Sequence, residues 1–375
     1  MSPALRIGAM GFGLIALCYG FARFAFGLFL PEIDRDLGLG PSLSGVISGG
    51  AFAGYCIAIA ASAALTERAG PRMVATAAAI VAALGMVGIA LAPSPTILAM
   101  AVIVAGLSTG LASPPMAAAV AIAVRNDRQD ITNTTINAGT SAGVALSGLV
   151  ALAMSGQWRL AFGLFAFAAV LLAIAAATSL PSAAGRKAAG GFPAITGSLR
   201  RLMGATFLAG MASTALWSFG GQLVSQRLGW GPSETGILWS CIGVGGVLGA
   251  WSGSLVSRFG LDPVHRTFLA LMAASILLIG SSWVTPALAL ICGVLFGAAY
   301  VMLTGVYLLW SVRAVSDRPA VGLMIGFLTF AVGQTAGAPI FGLLMAGPGA
   351  GPAVLCFAAL AVSAGIIRAG KLCRE

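Results

Sequence analysis

Long apolar runs alternate along the chain with short intervals that are rich in charge, proline and glycine. Each run is about 20 residues long, the length that an α-helix needs to cross the hydrocarbon of a bilayer. Twelve runs meet this description, at residues 8–30, 43–65, 73–92, 96–123, 134–154, 160–180, 202–226, 234–256, 266–284, 287–311, 320–345 and 352–369. The pattern predicts an all-α membrane protein with twelve transmembrane helices.

The longest polar interval lies in the middle of the chain, at residues 181–201. It is rich in alanine, glycine and serine, as linkers commonly are. Its basic residues are Arg186, Lys187, Arg200 and Arg201. Residues 1–180 and 202–375 each contain six of the apolar runs. We therefore expect two six-helix bundles joined by a cytosolic linker.

An internal duplication supports this division. The stretch LGLGPSLSG at 37–45 recurs as LGWGPSETG at 228–236, and the charged turn at 63–72 recurs at 253–260. Both recur at a spacing of about 190 residues, half the chain, and a repeat of this kind indicates a duplicated structural unit. Two like bundles are the plan of many membrane transporters. The two halves are therefore predicted to be pseudo-symmetric.

The composition agrees with a lipid environment. Hydrophobic residues make up 59% of the chain and charged residues 8%, whereas soluble domains carry about 25% charge. The net charge of +10 would suit nucleic-acid binding, but the basic residues are scattered at helix ends and form no single patch. The cysteines lack metal-ligand spacing. We expect a monomer in the bilayer with no cofactor, no metal and no nucleic-acid partner.

The distribution of lysine and arginine over the connections predicts the orientation. One side receives only Arg35, Arg159 and Arg227. The other side receives Arg6, Arg68, Arg72, Arg125, Arg128, Arg186, Lys187, Arg200, Arg201, Arg258, Arg266, Arg313, Arg318, Arg368, Lys371 and Arg374. The positive-inside rule then places both termini in the cytoplasm, in a multi-pass protein of the inner membrane.

Arg23 is the only charged residue deep inside a predicted span. Such a residue costs about 2.5 to 3.5 kcal/mol on insertion scales and marks a candidate functional site. All ten carboxylates fall in loops or at helix ends, so none is expected to neutralise Arg23. A lone guanidinium favours an anion, since its planar fork binds a carboxylate through two parallel hydrogen bonds. We therefore expect a small organic anion, for example a monocarboxylate, as substrate.

A purely structural role for Arg23 is the alternative. Its side chain can snorkel to the membrane surface or cap a carbonyl, or it can pair with Glu32 or Asp34 at the end of the same helix. Energy coupling is open as well. The only histidine, His265, falls in a predicted cytosolic turn, so an ordinary intramembrane proton switch is missing. Glu32, Asp34, a proton carried with the substrate, or no coupling ion are the alternatives.

The chain resembles the major facilitator superfamily over nearly its whole length. The turn motif of that superfamily, roughly G-x-L-x-D-R-x-G-x-R, appears at residues 63–72 with Ala63 and Glu67 in place of the first glycine and the aspartate. The second copy has Ser257 at the acidic position, which argues against a symmetrical latch. The resemblance implies an alternating-access transporter, with gating residues Glu67, Arg68, Arg72 and Arg258.

Two further stretches are similar to the YbfB/YjiJ-like branch of this superfamily. They are GFARFAFGLFLP at residues 20–31 and GQTAGAP at residues 333–339. The branch has no single agreed substrate, so the anion hypothesis depends on Arg23 alone.

In the superfamily the first, fourth, seventh and tenth helices line the central cavity. The resemblance therefore implies these candidate substrate-binding residues: Arg23, Tyr19, Thr214, Trp217, Gln222, Tyr300, Thr304 and Tyr307. The last three share one face of the tenth helix. The alternative for the hydroxyl residues is a bond to their own helix backbone, and tryptophan and tyrosine often anchor helices at the membrane surface. Gln334 in the eleventh span is expected to hold the two bundles together.

An exporter of drugs or apolar metabolites is the main alternative function. Drug antiporters of the superfamily usually carry a Gly-Pro pair in the fifth helix, whereas the fifth span here has glycines and no proline. An intramembrane enzyme is not expected, because catalysis needs a nucleophile with its base, paired aspartates or metal ligands inside the membrane. A ligand-binding sensor without transport is a remote third interpretation.

Overall fold

The computed structural model describes residues 2–182 and 195–370, and every regular element within them is a helix. The predicted linker residues Arg186 and Lys187 lie outside the described residues, as does Lys371. Numbered in chain order, the helices are α1 Pro3–Leu37, α2 residues 40–69, α3 residues 71–90, α4 Pro95–Ala123, α5 Asn126–Ala153, α6 Trp158–Ser179, α7 Gly197–Trp217 with Gly220–Leu228, α8 Pro232–Phe259, α9 Leu261–Gly280, α10 Pro286–Ala314, α11 Pro319–Ala346 and α12 Ala350–Ile366. The prediction of an all-α fold with twelve helices is confirmed.

Four of these helices depart from a simple straight span. The helices α2 and α3 form one run, Gly40–Ala90, which Gly70 interrupts with a φ of 80° and a ψ of 159°. The two segments of α7 are bent by 45° relative to each other. The helix α12 has 17 residues, slightly fewer than the ~20 that a perpendicular span needs.

The duplication is visible in the backbone as well as in the sequence. Gly70 and Gly260 occupy matching places in the two halves and have φ and ψ of 80° and 159°, and of 85° and 162°. Gly38 and Gly229 end the first helix of each half with φ of 64° and 67°. A positive φ is easily reached only by glycine. The repeated glycines therefore fix the same turns in both halves.

The ninth helix begins earlier than its apolar run suggests. It starts at Leu261, directly after Gly260, and Asp262 lies in its first turn, where the helix dipole favours an acid. His265 consequently lies in the helix, and its side chain is fully buried. The prediction that His265 lies in a cytosolic turn is wrong. The first turn of α9 is polar, so hydropathy alone does not show that the helix begins there.

The seventh helix also begins before its apolar run. The Thr196 hydroxyl accepts a hydrogen bond from the Leu199 amide and so caps the helix at Gly197. Arg200 and Arg201, which the apolar pattern places in the linker, therefore lie in the first turn of α7. The side chain of Arg201 is exposed at this helix end.

Glycines bring the helices of the first half into backbone contact. Gly20 of α1 lies against the backbone of Gly143 in α5, and a Cβ atom at Gly143 would overlap the carbonyl of Ala16. Lipid gives no hydrophobic drive for helix association, so close approach through small residues is a main source of packing energy. These contacts press the middle of α1 against α5.

The two halves meet toward one face of the bundle. We call the side that carries the starts of α1 and α3 the basic face, and the side with the α1–α2 and α7–α8 connections the far face. Near the far face, Gly45 of α2 lies against Ala338 of α11, and Gly148 of α5 lies against Gly236 of α8. Gly27 of α1 lies against the Trp217 carbonyl of α7. The halves are therefore closed against each other at the far face.

We predict that Gly143→Val destabilises the fold, because the added side chain overlaps the α1 backbone. Overpacking of this kind costs about 1–3 kcal/mol. Thermal unfolding of purified protein in detergent measures the effect. The matched control is Gly163→Val in α6, where a Cβ atom meets open space. Equal unfolding temperatures for the two variants would contradict the prediction.

Candidate functional site

Arg23 lies in a distorted part of α1. Residues Ala16–Phe24 form a π-helical segment in the middle of this helix. Such segments are rare and occur frequently at functional sites. Gly20 permits the segment to pack directly on α5. The Arg23 side chain is only 6% exposed, so its charge is held inside the protein and does not snorkel to the membrane surface.

A hydrogen-bond chain connects Arg23 to the second half of the protein. The Arg23 Nη2 group donates to Oε1 of Gln334 in α11. The Gln334 Nε2 group donates to the Ser213 hydroxyl of α7 at 3.1 Å and to the Tyr300 hydroxyl of α10 at 3.4 Å. Gln334 and Ser213 are fully buried. One amide therefore joins α1 to three helices of the other half.

Four aromatic rings surround the guanidinium group of Arg23, and we call them the Arg23 cage. The Arg23 Cζ atom lies 4.6 Å from the ring centre of Tyr55, 4.7 Å from Phe52, 5.1 Å from Phe24 and 5.8 Å from Tyr19. A cation within about 6 Å of an aromatic face is attracted by its quadrupole. The cage stabilises the buried charge without neutralising it.

The acids at the end of α1 do not pair with Arg23. Asp34 Oδ1 accepts from the Gly40 amide at 2.7 Å, and Asp34 Oδ2 accepts from Gln222 Nε2 at 3.0 Å. Glu32 is buried, and its Oε2 atom has no hydrogen-bond partner among the described residues. Within residues 2–182 and 195–370, no carboxylate forms an ion pair with Arg23. Its Nε group is buried and likewise has no hydrogen-bond partner there.

The two sides of Arg23 differ in packing. Toward the far face, Phe24 stacks on Trp217 with ring centres 4.0 Å apart, and the Trp217 and Tyr300 ring centres are 5.0 Å apart. All three residues are buried. Toward the basic face, the half-buried Tyr19 hydroxyl lies 3.1 Å from the Ser113 hydroxyl of α4. The site is therefore more tightly shielded from the far face than from the basic face.

The structure brings Tyr19, Trp217 and Tyr300 to Arg23 or its cage, and places the other candidates elsewhere. The Thr214 and Thr304 hydroxyls each donate to their own helix, to the Met211 and Val301 carbonyls at 2.7 Å. Hydroxyl residues inside apolar helices commonly form such backbone bonds.

Two more candidates have partners away from the cage. The Tyr307 hydroxyl lies 3.0 Å from Nε2 of His265, inside the second half. Gln222 binds Asp34 near the far face, where it connects α7 to α1. Gln222 is thus a contact between the halves in this conformation.

Five residues at this site are absent from the substrate-binding set that the sequence predicts: Phe24, Phe52, Tyr55, Ser213 and Gln334. Phe52 and Tyr55 are three residues apart on α2. This helix is not one of the four that the family resemblance implies line the central cavity. The sequence predicts that Gln334 holds the bundles together, and its bond to Arg23 is one such contact between the halves. A glutamine inside the apolar eleventh span is the sequence feature that points to this site, because a buried amide needs hydrogen-bond partners.

The candidate gating residues lie at the basic face. Glu67 is half-buried and Arg68 is exposed. Arg72 donates from Nε to the Leu180 carbonyl at 2.6 Å, which connects α3 to the end of α6. The Arg258 guanidinium lies 5.2 Å from the ring centre of Phe259. The bond of Arg72 is thus within the first half.

Twelve helices in two repeated halves, with a buried charge between the halves, define the class of two-bundle membrane transporters. A family model described as the Major Facilitator Superfamily matches residues 12–318. The chain belongs to this superfamily.

Solved structures share the fold over nearly the full length. A mutant of the nucleoside transporter NupG is 12% identical with a TM-score of 0.82, covering 97% of this chain and 98% of that one. A D-xylose-proton symporter is 16% identical with a TM-score of 0.79, covering 100% and 99%. A bacterial homologue of the human lysosomal transporter Spinster, inward-facing and occupied, is 15% identical with a TM-score of 0.77, covering 97% and 95%. No curated protein sequence matched the chain.

We predict that Gln222→Ala weakens closure at the far face, because it removes the bond to Asp34. A hydrogen bond to a charged acceptor contributes about 1.5 kcal/mol, so the population open at the far face should rise about tenfold. Spin-label distances between Leu43→Cys and Gly347→Cys, in a background without other cysteines, measure the two populations. Gln157→Ala, a change of the same type in the α5–α6 connection, is the control. Unchanged distances in Gln222→Ala would show that the bond between Gln222 and Asp34 does not hold the far face closed.

Proposed function

We propose that this transporter carries a small organic anion, such as a monocarboxylate, and that Arg23 recognises the negative charge. The observation that supports the proposal is the buried Arg23 guanidinium between the two halves, which has only neutral partners among the described residues. A buried charge without an opposite charge is costly. A bound carboxylate would supply that opposite charge.

The unused donors of Arg23 suit such an anion. Gln334 accepts from one terminal nitrogen, and the buried Nε group has no partner in the described part of the chain. Nε and Nη2 form the edge that binds a carboxylate through two parallel bonds, so a carboxylate on this edge would take over the nitrogen that Gln334 uses. The aromatic rings of Phe24, Trp217 and Tyr300 lie near Arg23 and favour an apolar or aromatic body on the anion.

Substrate binding would compete with Gln334. A carboxylate is a stronger acceptor for a guanidinium than an amide, by roughly a factor of two in hydrogen-bond strength. When the carboxylate replaces Gln334, the bond between α1 and α11 is lost, and α1 is no longer connected through the amide to α7 and α10. Binding would thereby release one of the contacts between the halves and favour the switch between states.

We further propose that residues 1–180 and 202–375 move as two bodies around this site in a monomer. Under the positive-inside rule, the basic face and both termini lie on the cytoplasmic side of the inner membrane. The far-face closure then corresponds to a closed periplasmic gate, and Glu67, Arg68, Arg72 and Arg258 lie at the cytoplasmic gate. The stretches at 20–31 and 333–339 support placement in the YbfB/YjiJ-like branch.

The names of two structurally similar proteins state a nucleoside and D-xylose as their cargo, and both differ from the anion proposed here. A thermal-shift screen of the purified protein separates these hypotheses. Aromatic and aliphatic monocarboxylates, nucleosides, xylose and cationic drugs are compared, because a ligand that binds the folded state raises the unfolding temperature. We expect stabilisation by carboxylates. Stabilisation by cationic drugs alone would support the exporter hypothesis instead.

We predict that Arg23→Gln lowers affinity for a stabilising carboxylate by about 10- to 100-fold, since a hydrogen bond to a charged group contributes about 1.5–3 kcal/mol. Uptake of the labelled carboxylate into proteoliposomes should fall in parallel. Arg128→Gln, an exposed arginine at the start of α5, is the control. Unchanged uptake by Arg23→Gln would refute the role of Arg23.

We predict opposite effects for two substitutions of Gln334. Gln334→Ala removes the internal competitor, so carboxylate affinity should rise about tenfold for a lost bond to a charged group worth ~1.5 kcal/mol. Gln334→Glu supplies an internal carboxylate to Arg23, so affinity should fall. Isothermal titration measures both constants. Changes in the same direction would show that Gln334 does not compete with the substrate.

A further inference from the structure

A narrow apolar groove runs along the outside of the first half, between α3 and α6. It consists of two depressions with volumes of about 530 Å³ and 400 Å³, which share Thr76, Ile80 and Ala177. Alanines form much of its lining, and large apolar side chains with high exposure stand along it, including Met73 at 63% and Leu84 at 62%. The groove faces the lipid and is shaped as a slot.

The length of the groove matches one leaflet of a bilayer. From Arg72 to Leu84 the helix α3 rises by about 18 Å. The hydrocarbon of one leaflet is about 15 Å thick, half of a bilayer core. A slot of this length, directed from the basic face toward the middle of the membrane, fits a single acyl chain.

The end of the groove at the basic face is polar. Arg72 and Ser182 line it there. Arg72 donates from Nε to the Leu180 carbonyl at 2.6 Å, which fixes the side chain. Its two terminal nitrogens have no hydrogen-bond or ion-pair partner among residues 2–182 and 195–370. A guanidinium held in place with free donors is suited to a phosphate.

A second polar group points to the same end. Thr76 lines both depressions, and its hydroxyl oxygen is buried and has no hydrogen-bond partner in the described part of the chain. Thr76 lies one helical turn from Arg72 on the same face. A glycerol ester oxygen of a lipid, just below its phosphate, would reach this depth.

We propose that the α3–α6 groove binds one anionic phospholipid from the leaflet at the basic face. Its phosphate contacts Arg72 and Ser182, and one acyl chain fills the slot between α3 and α6. Charge complementarity favours an anionic headgroup over a zwitterionic one, because Arg68 and Arg72 outnumber Glu67, the one acid of this turn, and an ethanolamine or choline group would add a further positive charge. The site is separate from Arg23 and does not depend on the identity of the substrate.

Native mass spectrometry of the delipidated protein tests the site. The probes are phosphatidylglycerol, phosphatidylethanolamine, phosphatidylcholine and inorganic phosphate, each added at the same concentration. We expect one tightly held phosphatidylglycerol and a raised unfolding temperature. Equal retention of all three lipids would contradict the preference for an anionic headgroup. The same stabilisation by inorganic phosphate alone would contradict the claim that the site binds a whole lipid.

Two pairs of variants locate the bound lipid. Arg72→Gln should reduce phosphatidylglycerol retention about tenfold through loss of the phosphate contact, whereas Arg128→Gln at the same face should not. Ala177→Phe fills the slot and should abolish retention, whereas Thr178→Phe adds the same bulk outside the residues that line it. Retention at the wild-type level in both Arg72→Gln and Ala177→Phe would overturn the proposal.

A folding control keeps the result interpretable. Each variant is compared in lipid-free detergent by thermal unfolding, and Arg72→Lys is added because it keeps the charge. We expect Arg72→Lys to retain more phosphatidylglycerol than Arg72→Gln at equal lipid-free stability. Equal loss in Arg72→Lys and Arg72→Gln would show that the bond to Leu180 matters and the charge does not, which overturns the phosphate contact.

Discussion

The charge of Arg23 is the constraint on which the rest of the site depends. A guanidinium inside a membrane protein must find partners, because hydrocarbon offers none. Here the compensation comes from both halves: aromatic rings of α1 and α2 on one side, and the Gln334 amide of α11 on the other. No single helix provides it. Bringing these groups within contact distance requires the helices around the site to approach closely.

Glycine makes that approach possible at the positions where it matters most. Gly20 and Gly143 let the π-helical segment of α1 lie against α5, and Gly27 lets α1 touch the α7 backbone. The same residue type fixes the repeated turns at Gly70 and Gly260. The helical framework therefore occurs in both halves, but the buried charge occurs in one half only. The repeat position of Arg23 is Thr214, whose hydroxyl bonds to its own helix.

The fold was accessible from sequence because the signals are local. Apolar runs of membrane length, the repeat and the position of Arg23 require no knowledge of neighbouring helices. The partners of Arg23 were less accessible, because Gln334 is 311 residues away and its contact depends on how α1 and α11 are rotated. The position of His265 is not predictable from hydropathy for a different reason: the first turn of α9 is as polar as a loop, and the turn geometry at Gly260 shows that the helix begins at Leu261.

The neutral character of the Arg23 partners explains how one site can be both stable and responsive. A carboxylate on α11 would pair permanently with Arg23, because breaking a buried ion pair leaves two unpaired charges at a cost of about 3–5 kcal/mol. An amide holds the guanidinium with a single weaker bond, and its other end stays bound to Ser213 and Tyr300 when that bond is lost. Gln334 can therefore release Arg23 without becoming an orphaned polar group itself. Exchange of this partner therefore costs less than breaking an ion pair would, as the proposed binding and release of an anion at Arg23 requires.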